Sequence, residues 1–255
     1  MPEAVNPIIA LWSHPRSMST ATERIMRERG DLTVFHEPFM YDYYVHRSVR
    51  EMPHFEAEAE RPQSLPDICA MLTAAAAQGP VFFKDMSYYV VGALDEERGF
   101  LSSLTDVFLI RDPRRSLMSY AKLDPHFTLE EAGIEAQWRH FHWLQETTGK
   151  TPPVIEAEAI VADPAGVMDR LWALIGLAPA PHAFSWQRES VPEDWGQVAG
   201  WHGAASSSAG IRPPGQESDA EIDARFAAAV EKHPRLAAIL AHHRPFHERL
   251  KAQAL

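Results

Sequence analysis

The sequence of 255 residues has a single cysteine, Cys69, which excludes an intrachain disulfide and a cysteine-rich zinc site. Long apolar runs are also missing. The first run, residues 8–12, is short, and no stretch approaches the ~18 apolar residues of a membrane span. From these absences we expect a soluble, cytoplasmic protein without a signal peptide or a membrane span.

Positive charge is scarce. The 24 Lys and Arg residues face 35 Asp and Glu residues, so the formal net charge is −11. Such a balance argues against a general binder of nucleic acids or anionic membranes. Local clusters of cations are still compatible with this charge. The share of hydrophobic residues, 45%, is ordinary and predicts a core of normal size.

Short apolar runs recur along the chain, separated by helical patterns. They occupy residues 8–12, 33–36, 81–83 and 107–110, with a weaker one at 154–155. Runs with little alternation are typical of strands buried on both faces, as in parallel sheets. The repeated order of strand and helix therefore predicts an α/β fold with a mostly parallel central sheet flanked by helices. We expect one domain over residues 1–255, with an acidic insert at 51–60 and a long loop at 196–215.

The turn after the first strand has the sequence HPRSMSTATERIM, residues 14–26, and contains no glycine. A helix N-terminus presents unpaired N–H groups and a positive partial charge, so the start of this helix can hold an anion. Arg16 would add a cation with a bidentate fork. The N–H groups would come from Ser17, Met18, Ser19, Thr20 and Ala21. Plain N-capping by Ser and Thr, which needs no ligand, is the alternative.

Each of the first four candidate strands is followed by a charged residue. These residues are Arg16, Glu37, Lys84 and Arg111. Ligands of open α/β sheets bind outside the carboxyl ends of the strands. The sequence therefore predicts a polar, mainly cationic site at one edge of the sheet.

The segment RDPRRSLMSYAKL, residues 111–123, is a basic island in an acidic chain. Residues 111–122 hold four cations and one anion. If a helix begins near Pro113, the hydroxyl of Ser119 can face the same edge as Arg111. A solvated basic helix start is the alternative.

These two segments together resemble those of the sulfotransferase family, which uses 3′-phosphoadenosine 5′-phosphosulfate (PAPS). Residues 14–21 resemble its 5′-phosphosulfate loop, and residues 111–123 resemble its 3′-phosphate motif, including the spacing of Arg111 and Ser119. Further similar stretches lie at 34–39, 82–86, 157–176 and 201–208. The resemblance implies a three-layer, P-loop-like fold and PAPS as co-substrate, with no metal.

The resemblance also implies roles for single residues. Arg16 and Lys84 would stabilise charge on the leaving group. From its own position, at the end of a strand and before Pro38, Glu37 is the candidate base, with His36 as backup. A salt bridge of Glu37 to Arg16 or Lys84 is the alternative. The donor nucleotide would be held by Arg16, Ser17, Met18, Ser19, Thr20, Ala21, Arg111, Ser119 and Ser207. His36, Tyr41 and Tyr44 would line the acceptor pocket. Met86 departs from the pattern, because cytosolic members have a base His there.

Two alternatives stay open at this point. A P-loop kinase or NTPase should show G-x-x-x-x-G-K-[ST], but the chain after Arg16 has no glycine before Gly30. Met86 is the feature that favours a non-catalytic nucleotide-binding protein of the same fold, whereas Glu37, Arg16 and Lys84 argue against it. The acceptor would be a small molecule with a hydroxyl or an amine. The oligomeric state is open, a homodimer included.

Overall fold

The computed structural model describes residues 6–187, 192–201, 203, 207–211 and 217–255. Its centre is a five-stranded sheet in which every strand pair is parallel. The strands are β1 (Ile8–Ser13), β2 (Thr33–His36), β3 (Val81–Met86), β4 (Thr105–Ile110) and β5 (Val154–Glu156). Their order in the sheet is β2-β3-β1-β4-β5. The predicted α/β fold with a parallel sheet is confirmed.

Helices connect these strands. Among the described residues they are α1 (Ser19–Glu28), α2 (Leu65–Ala76), α3 (Ser87–Val90), α4 (Arg98–Leu101), α5 (Pro113–Leu123), α6 (Ile134–Thr148), α7 (Ala157–Ala162), α8 (Pro164–Leu174), α9 (Asp219–Lys232) and α10 (Arg235–Lys251). A π-helix spans Asp42–His46, and 3-10 helices span Glu130–Ala132, Pro181–Phe184 and Glu193–Trp201.

Strand β1 shows how the sheet is covered on both sides. Ala10 and Trp12 belong to one buried cluster, and Ile9 and Leu11 belong to a second. Successive residues of a strand point to opposite faces, so each cluster lies on one face of the sheet. Hydrophobic residues on both faces give the three layers of the fold, which explains why the strands have little polar alternation.

Two irregular stretches contact each other. In the predicted 196–215 loop, the described start is helical, as part of Glu193–Trp201; residues 202, 204–206 and 212–216 lie outside the described residues. Trp201 Nε1 donates to the Pro53 carbonyl at 2.8 Å, and Glu56 N donates to the Gln197 carbonyl at 2.9 Å. The acidic insert therefore packs against this 3-10 helix.

His140 of α6 is a buried histidine with an expected effect on stability. Its ring lies 4.5 Å from that of Trp12 and 5.6 Å from that of Phe108, and neither ring nitrogen has a hydrogen-bond partner among the described residues. Burial lowers the pKa of His140 from 6.5 to about 3. As the pH falls from 6.5 towards 3, His140 therefore takes up a proton in the unfolded chain but stays neutral in the native protein. The free energy of unfolding decreases through that window.

We expect His140→Phe to remove this pH dependence. Relative to the wild type, the variant should gain about 2 kcal/mol of unfolding free energy between pH 7 and pH 5. Urea unfolding at both pH values measures the difference. His142→Phe, at an exposed position of the same helix, is the matched control and should follow the wild type. Parallel pH curves for His140→Phe and wild type would contradict the expectation.

Candidate active site

The site lies where the chain connections of the sheet change direction. From β1 the chain crosses β3 to reach β2, whereas from β4 it continues on the other side to β5. The crevice between the carboxyl ends of β1 and β4 is thus the topological switch point, where ligands of α/β sheets bind. Arg16 follows β1 and Arg111 follows β4, so the two guanidinium groups flank this crevice.

A pocket of about 460 Å³ opens at this edge. Its lining combines the start of α1, both arginines, the Glu37–Lys84 pair and a set of apolar and aromatic side chains. The lining residues are Pro15, Arg16, Met18, Ser19, Thr20, Ala21, Glu37, Met52, Lys84, Met86, Tyr88, Tyr89, Arg111, Ser119, Tyr120, Val198, Trp201, Ser208, Gly210 and Ile211. The structure thus brings together most of the residues that the sequence predicts for the site.

The turn between β1 and α1 takes left-handed backbone conformations without glycine. Arg16 has φ 64° and Met18 has φ 73°. For such residues this conformation costs on the order of 1–3 kcal/mol each, and it persists where the surrounding structure imposes it. Backbone strain of this kind is concentrated at ligand-binding turns.

Gly133 is part of what surrounds this turn. With φ +79°, it lies so close that an added Cβ would be 3.1 Å from His14 Cβ, 3.2 Å from Pro15 Cδ and 3.3 Å from Tyr88 Cδ1. The backbone conformation and these close contacts therefore both favour glycine at position 133.

Two of the five N–H groups that the sequence predicts for an anion site bind backbone carbonyls of the turn. Ser17 N donates to the His14 carbonyl at 3.3 Å, and Ala21 N donates to the Met18 carbonyl at 3.1 Å. The side chain of Ser17 is fully buried, and its Oγ has no hydrogen-bond partner among the described residues. The N–H groups of Ser17 and Ala21 therefore have acceptors within the turn itself.

Arg16 crosses the pocket and contacts two distant parts of the chain. Its Nε donates to Ser119 Oγ at 3.0 Å, and its Nη1 donates to the Trp201 carbonyl at 2.6 Å. Arg111 Nη1 donates to the Arg16 carbonyl at 2.7 Å. Among the described residues no carboxylate lies within 4.0 Å of Arg16, and Glu158 is 4.0 Å from Arg111. Burial lowers the pKa of both arginines, and for Arg16 the nearby charge of Arg111 adds to the effect.

Two further cations of this segment, Arg114 and Arg115, form ion pairs with carboxylates outside the pocket. Arg114 binds Asp112 and also Asp219 and Asp223 of α9, and Arg115 binds Glu217 at 2.6 Å. The local excess of positive charge at residues 111–122 therefore does not face the pocket as a whole. Arg111 is the cation of this segment that lines it.

Glu37 and Lys84 form a buried ion pair on the opposite side of the pocket. Lys84 Nζ contacts Glu37 Oε1, and Tyr89 Oη donates to Glu37 Oε2 at 3.2 Å. Burial favours the neutral carboxyl, but the charge of Lys84 and the hydrogen bonds from Lys84 and Tyr89 outweigh it, so the pKa of Glu37 is lowered. Lys84 was expected after β3; it lies inside the strand, which continues to Met86.

The three residues predicted for the acceptor side do not line this pocket. His36 and Tyr41 line a second cavity, and Tyr44 Oη donates to Glu131 Oε1 at 2.8 Å. The π-helix Asp42–His46 redirects the chain after Glu37 and carries Tyr44 away from the pocket.

Other aromatic residues take that place. The pocket is lined by Tyr88, Tyr89, Tyr120 and Trp201. Tyr88, Tyr89 and Tyr120 were not predicted as site residues, and Trp201 was predicted only as part of the 201–208 stretch. Their positions in the sequence could have indicated them, since Tyr88 and Tyr89 come soon after the third strand and Tyr120 follows Ser119.

Ser207 is near the pocket but does not line it, whereas its neighbour Ser208 does. Of the late segment 201–208, residues 202 and 204–206 lie outside the described residues. Within the described ranges, no group of three or more His, Cys, Asp or Glu residues is arranged to hold a metal ion. In the same ranges, no helix has the length and apolar character needed to cross a membrane.

The structure is that of an α/β protein with a pocket at the switch point of its parallel sheet, lined by Arg16, Lys84 and Arg111 together with Glu37. The model of the sulfotransferase domain family matches residues 7–241, which is most of the chain. The chain belongs to this family.

Similarity to individual proteins is lower. The chain is 24% identical over 211 residues to branched-chain-amino-acid aminotransferase-like protein 2 of Arabidopsis thaliana, covering 81% of this chain and 36% of that protein. It thus spans about a third of the length of that curated relative. Among solved structures, the sulfotransferase domain of the curacin biosynthetic pathway is 14% identical, with a TM-score of 0.48 over 94% of this chain and 98% of that one. The sulfotransferase domain of the Synechococcus PCC 7002 olefin synthase is 16% identical, with a TM-score of 0.49 over 89% and 96%. The family assignment rests on the family model.

Proposed function

We propose that this protein transfers a sulfuryl group from PAPS to a hydroxyl or amine of a small-molecule acceptor. The observation that carries the proposal is the pair of half-buried guanidinium groups of Arg16 and Arg111. Their hydrogen-bond acceptors are the neutral Ser119 hydroxyl and backbone carbonyls. Two such cations with lowered pKa values favour a bound anion, which would offset both their desolvation and their mutual repulsion.

The residues present fit the two phosphate groups of the donor. The N–H groups at the start of α1 and Arg16 would hold its 5′ side, as helix N-termini hold phosphates. Arg111 and Ser119 would hold the 3′-phosphate, which distinguishes PAPS from ATP. The Ser119 hydroxyl accepts from Arg16 Nε and keeps its own proton to donate to a phosphate oxygen.

The reacting side would use Glu37 and Lys84. PAPS supplies an activated sulfuryl group. An S–O bond to a hydroxyl acceptor, or an S–N bond to an amine, would form while the S–O bond to the 5′-phosphate breaks. Glu37 would take the proton of the acceptor, and Lys84 and Arg16 would stabilise the charge that develops on the leaving oxygen. Sulfuryl transfer makes the same demands on an enzyme as phosphoryl transfer, in which positioning of the reactants and stabilisation of charge contribute most to catalysis.

The acceptor side would be the apolar and aromatic wall of the pocket. Met52, Met86, Tyr88, Tyr120 and Trp201 offer mainly carbon surface close to Glu37. Ligand pockets of this composition bind largely apolar molecules and orient them with a few polar groups. An uncharged alcohol or phenol suits such a wall better than a polyanion does, because the protein is acidic overall.

Calorimetric titration with adenosine 3′,5′-bisphosphate tests the proposal, with ADP and magnesium-ADP as comparison ligands. We expect the bisphosphate to bind more tightly than either form of ADP. Arg111→Ala should weaken its binding by about 10- to 100-fold, the effect of losing a charged hydrogen bond. Arg114→Ala is the matched control, since Arg114 binds carboxylates away from the pocket.

Two results would contradict the proposal. Preference for magnesium-ADP would favour the kinase-like alternative. Equal affinity of wild type and Arg111→Ala for the bisphosphate would show that the 3′-phosphate is not held where we place it.

A further inference from the structure

The side chain of Gln137 lies between the carboxyl ends of β1 and β4. It comes from the beginning of α6 and is fully buried. Its Nε2 donates to the Trp12 carbonyl at 3.1 Å and to the Leu109 carbonyl at 2.8 Å, and its Oε1 is 2.8 Å from His14 Nδ1. One amide group therefore contacts the end of β1, the turn that follows it and the end of β4.

The two carbonyl groups fix the orientation of this amide. A carbonyl oxygen only accepts, so the NH₂ end of Gln137 faces Trp12 and Leu109 and uses both of its protons there. The oxygen then faces His14 Nδ1, which must carry the ring proton in order to donate. Burial lowers the pKa of His14 from 6.5 to about 3, so the ring is neutral and adds no charge to the turn. Gln137 is thus held in a single orientation by three hydrogen bonds.

Gln137 acts at the point where the backbone pairing of the two strands stops. The ladder between β1 and β4 ends with the pair Trp12 and Phe108. Beyond that pair the chain leaves β1 towards one side of the sheet and leaves β4 towards the other, which opens the crevice at the switch point. The hydrogen bonds from Gln137 therefore hold the two segments together where they begin to separate.

These segments carry the two arginines of the pocket. Arg16 comes two residues after His14, and Arg111 comes two residues after Leu109. A hydrogen bond from Arg111 to the Arg16 carbonyl also connects them, but it uses a guanidinium group that a bound phosphate would contact. Gln137 is not among the residues that line the pocket, so its hydrogen bonds do not compete with a ligand.

We propose that Gln137 is a positioning residue that sets the separation of two anion-binding groups, the turn with Arg16 and the strand end with Arg111. This inference rests on the proposed function, in which the turn holds the 5′ side of the donor and Arg111 holds its 3′-phosphate. The ribose keeps the two phosphates of such a ligand within a narrow range of distances. Both groups can therefore bind it at once only when their separation matches the ligand. Gln137 thereby favours a nucleoside 3′,5′-bisphosphate over either monophosphate.

The test compares adenosine 3′,5′-bisphosphate with adenosine 5′-monophosphate and adenosine 3′-monophosphate by calorimetry. Gln137→Met keeps the approximate length of the side chain and removes all three hydrogen bonds. His14→Phe removes the hydrogen bond to Oε1 alone. Gln145→Met is the matched control, because it makes the same substitution on the same helix, where the amide donates to Thr151 Oγ1 near the surface. Urea unfolding of each variant measures its stability separately.

The quantity that decides is the ratio of each monophosphate Kd to the bisphosphate Kd. We expect this ratio to fall about tenfold or more in Gln137→Met and about threefold in His14→Phe, because the two groups no longer match one ligand. The Kd of each monophosphate should change less than about threefold, since each group still binds its own phosphate. Gln145→Met should follow the wild type. A residue with a purely structural role would lower the free energy of unfolding and leave the ratio unchanged.

An unchanged ratio in Gln137→Met, whatever its loss of stability, would overturn the inference. If this variant does not fold, His14→Phe decides in the same way, and a ratio equal to that of the wild type overturns the inference. Failure of the proposed function looks different, because the wild type itself would then bind the bisphosphate no more tightly than the monophosphates. A wild type that prefers the bisphosphate, with the same preference in Gln137→Met, would contradict the inference alone.

Discussion

Glu37→Gln is expected to lower kcat for sulfuryl transfer by about 10²- to 10⁴-fold, the usual contribution of a general base. Gln has nearly the same shape but cannot take up the acceptor's proton. Glu37 is not among the residues proposed to hold the phosphates, so affinity for adenosine 3′,5′-bisphosphate should change little. Initial rates with PAPS and a panel of simple phenols and alcohols measure kcat, and calorimetry measures the affinity.

Two further variants separate loss of the base from loss of the local structure. Glu37→Asp keeps a carboxylate and should retain part of the activity. Tyr89→Phe removes the hydrogen bond to Glu37 Oε2 and should change kcat less than tenfold. If Glu37→Gln is folded, binds the bisphosphate and transfers sulfuryl groups at the wild-type rate, the base is another residue.

Lys84→Met is expected to cost about 3–5 kcal/mol of unfolding free energy, because it leaves the Glu37 carboxylate buried without its cation. Lys84 is fully buried and Glu37 is 5% exposed, so water replaces the lost partner only poorly. Desolvation of Glu37 would then be unopposed by Lys84, and its pKa should rise above the ordinary value. The cost should therefore appear above about pH 4.5 and shrink as the pH falls and the carboxyl takes up a proton. Urea unfolding between pH 4 and pH 8 measures this dependence.

The double variant Lys84→Met with Glu37→Gln completes the comparison. It contains no buried charge at this position, so it should recover most of the stability that Lys84→Met loses. If the losses of unfolding free energy from the two single substitutions simply add in the double variant, Lys84 and Glu37 do not stabilise each other and the expectation is wrong.

The residues at the carboxyl edge were predictable from the sequence because parallel strands end at the same edge. Short apolar runs predict the strands, and the charged residues that follow them, Arg16, Glu37 and Arg111, line one pocket. Lys84 was predicted for the same edge but with the wrong strand boundary. The roles of these residues stay predictions.

Contacts between distant parts of the chain were not predictable in the same way. The Trp201 carbonyl that Arg16 contacts is 185 residues further along the chain, and the carboxylates that neutralise Arg114 are more than a hundred residues away. Periodicity and spacing report local structure only. For the same reason the sequence placed Tyr44 beside Glu37, whereas a π-helix turns it elsewhere.

The close approach of Gly133 has a consequence for how such a protein can diversify. Because Gly133 has no Cβ, two parts of the pocket can pack against it. His14 and Pro15 belong to the turn that would carry the donor, and Tyr88 belongs to the aromatic wall that would face the acceptor. A larger residue at position 133 would press on both neighbours at once. Selection for a new acceptor through changes around Tyr88 is therefore not independent of affinity for the donor, and variants that reshape the wall while keeping this glycine are the accessible evolutionary route.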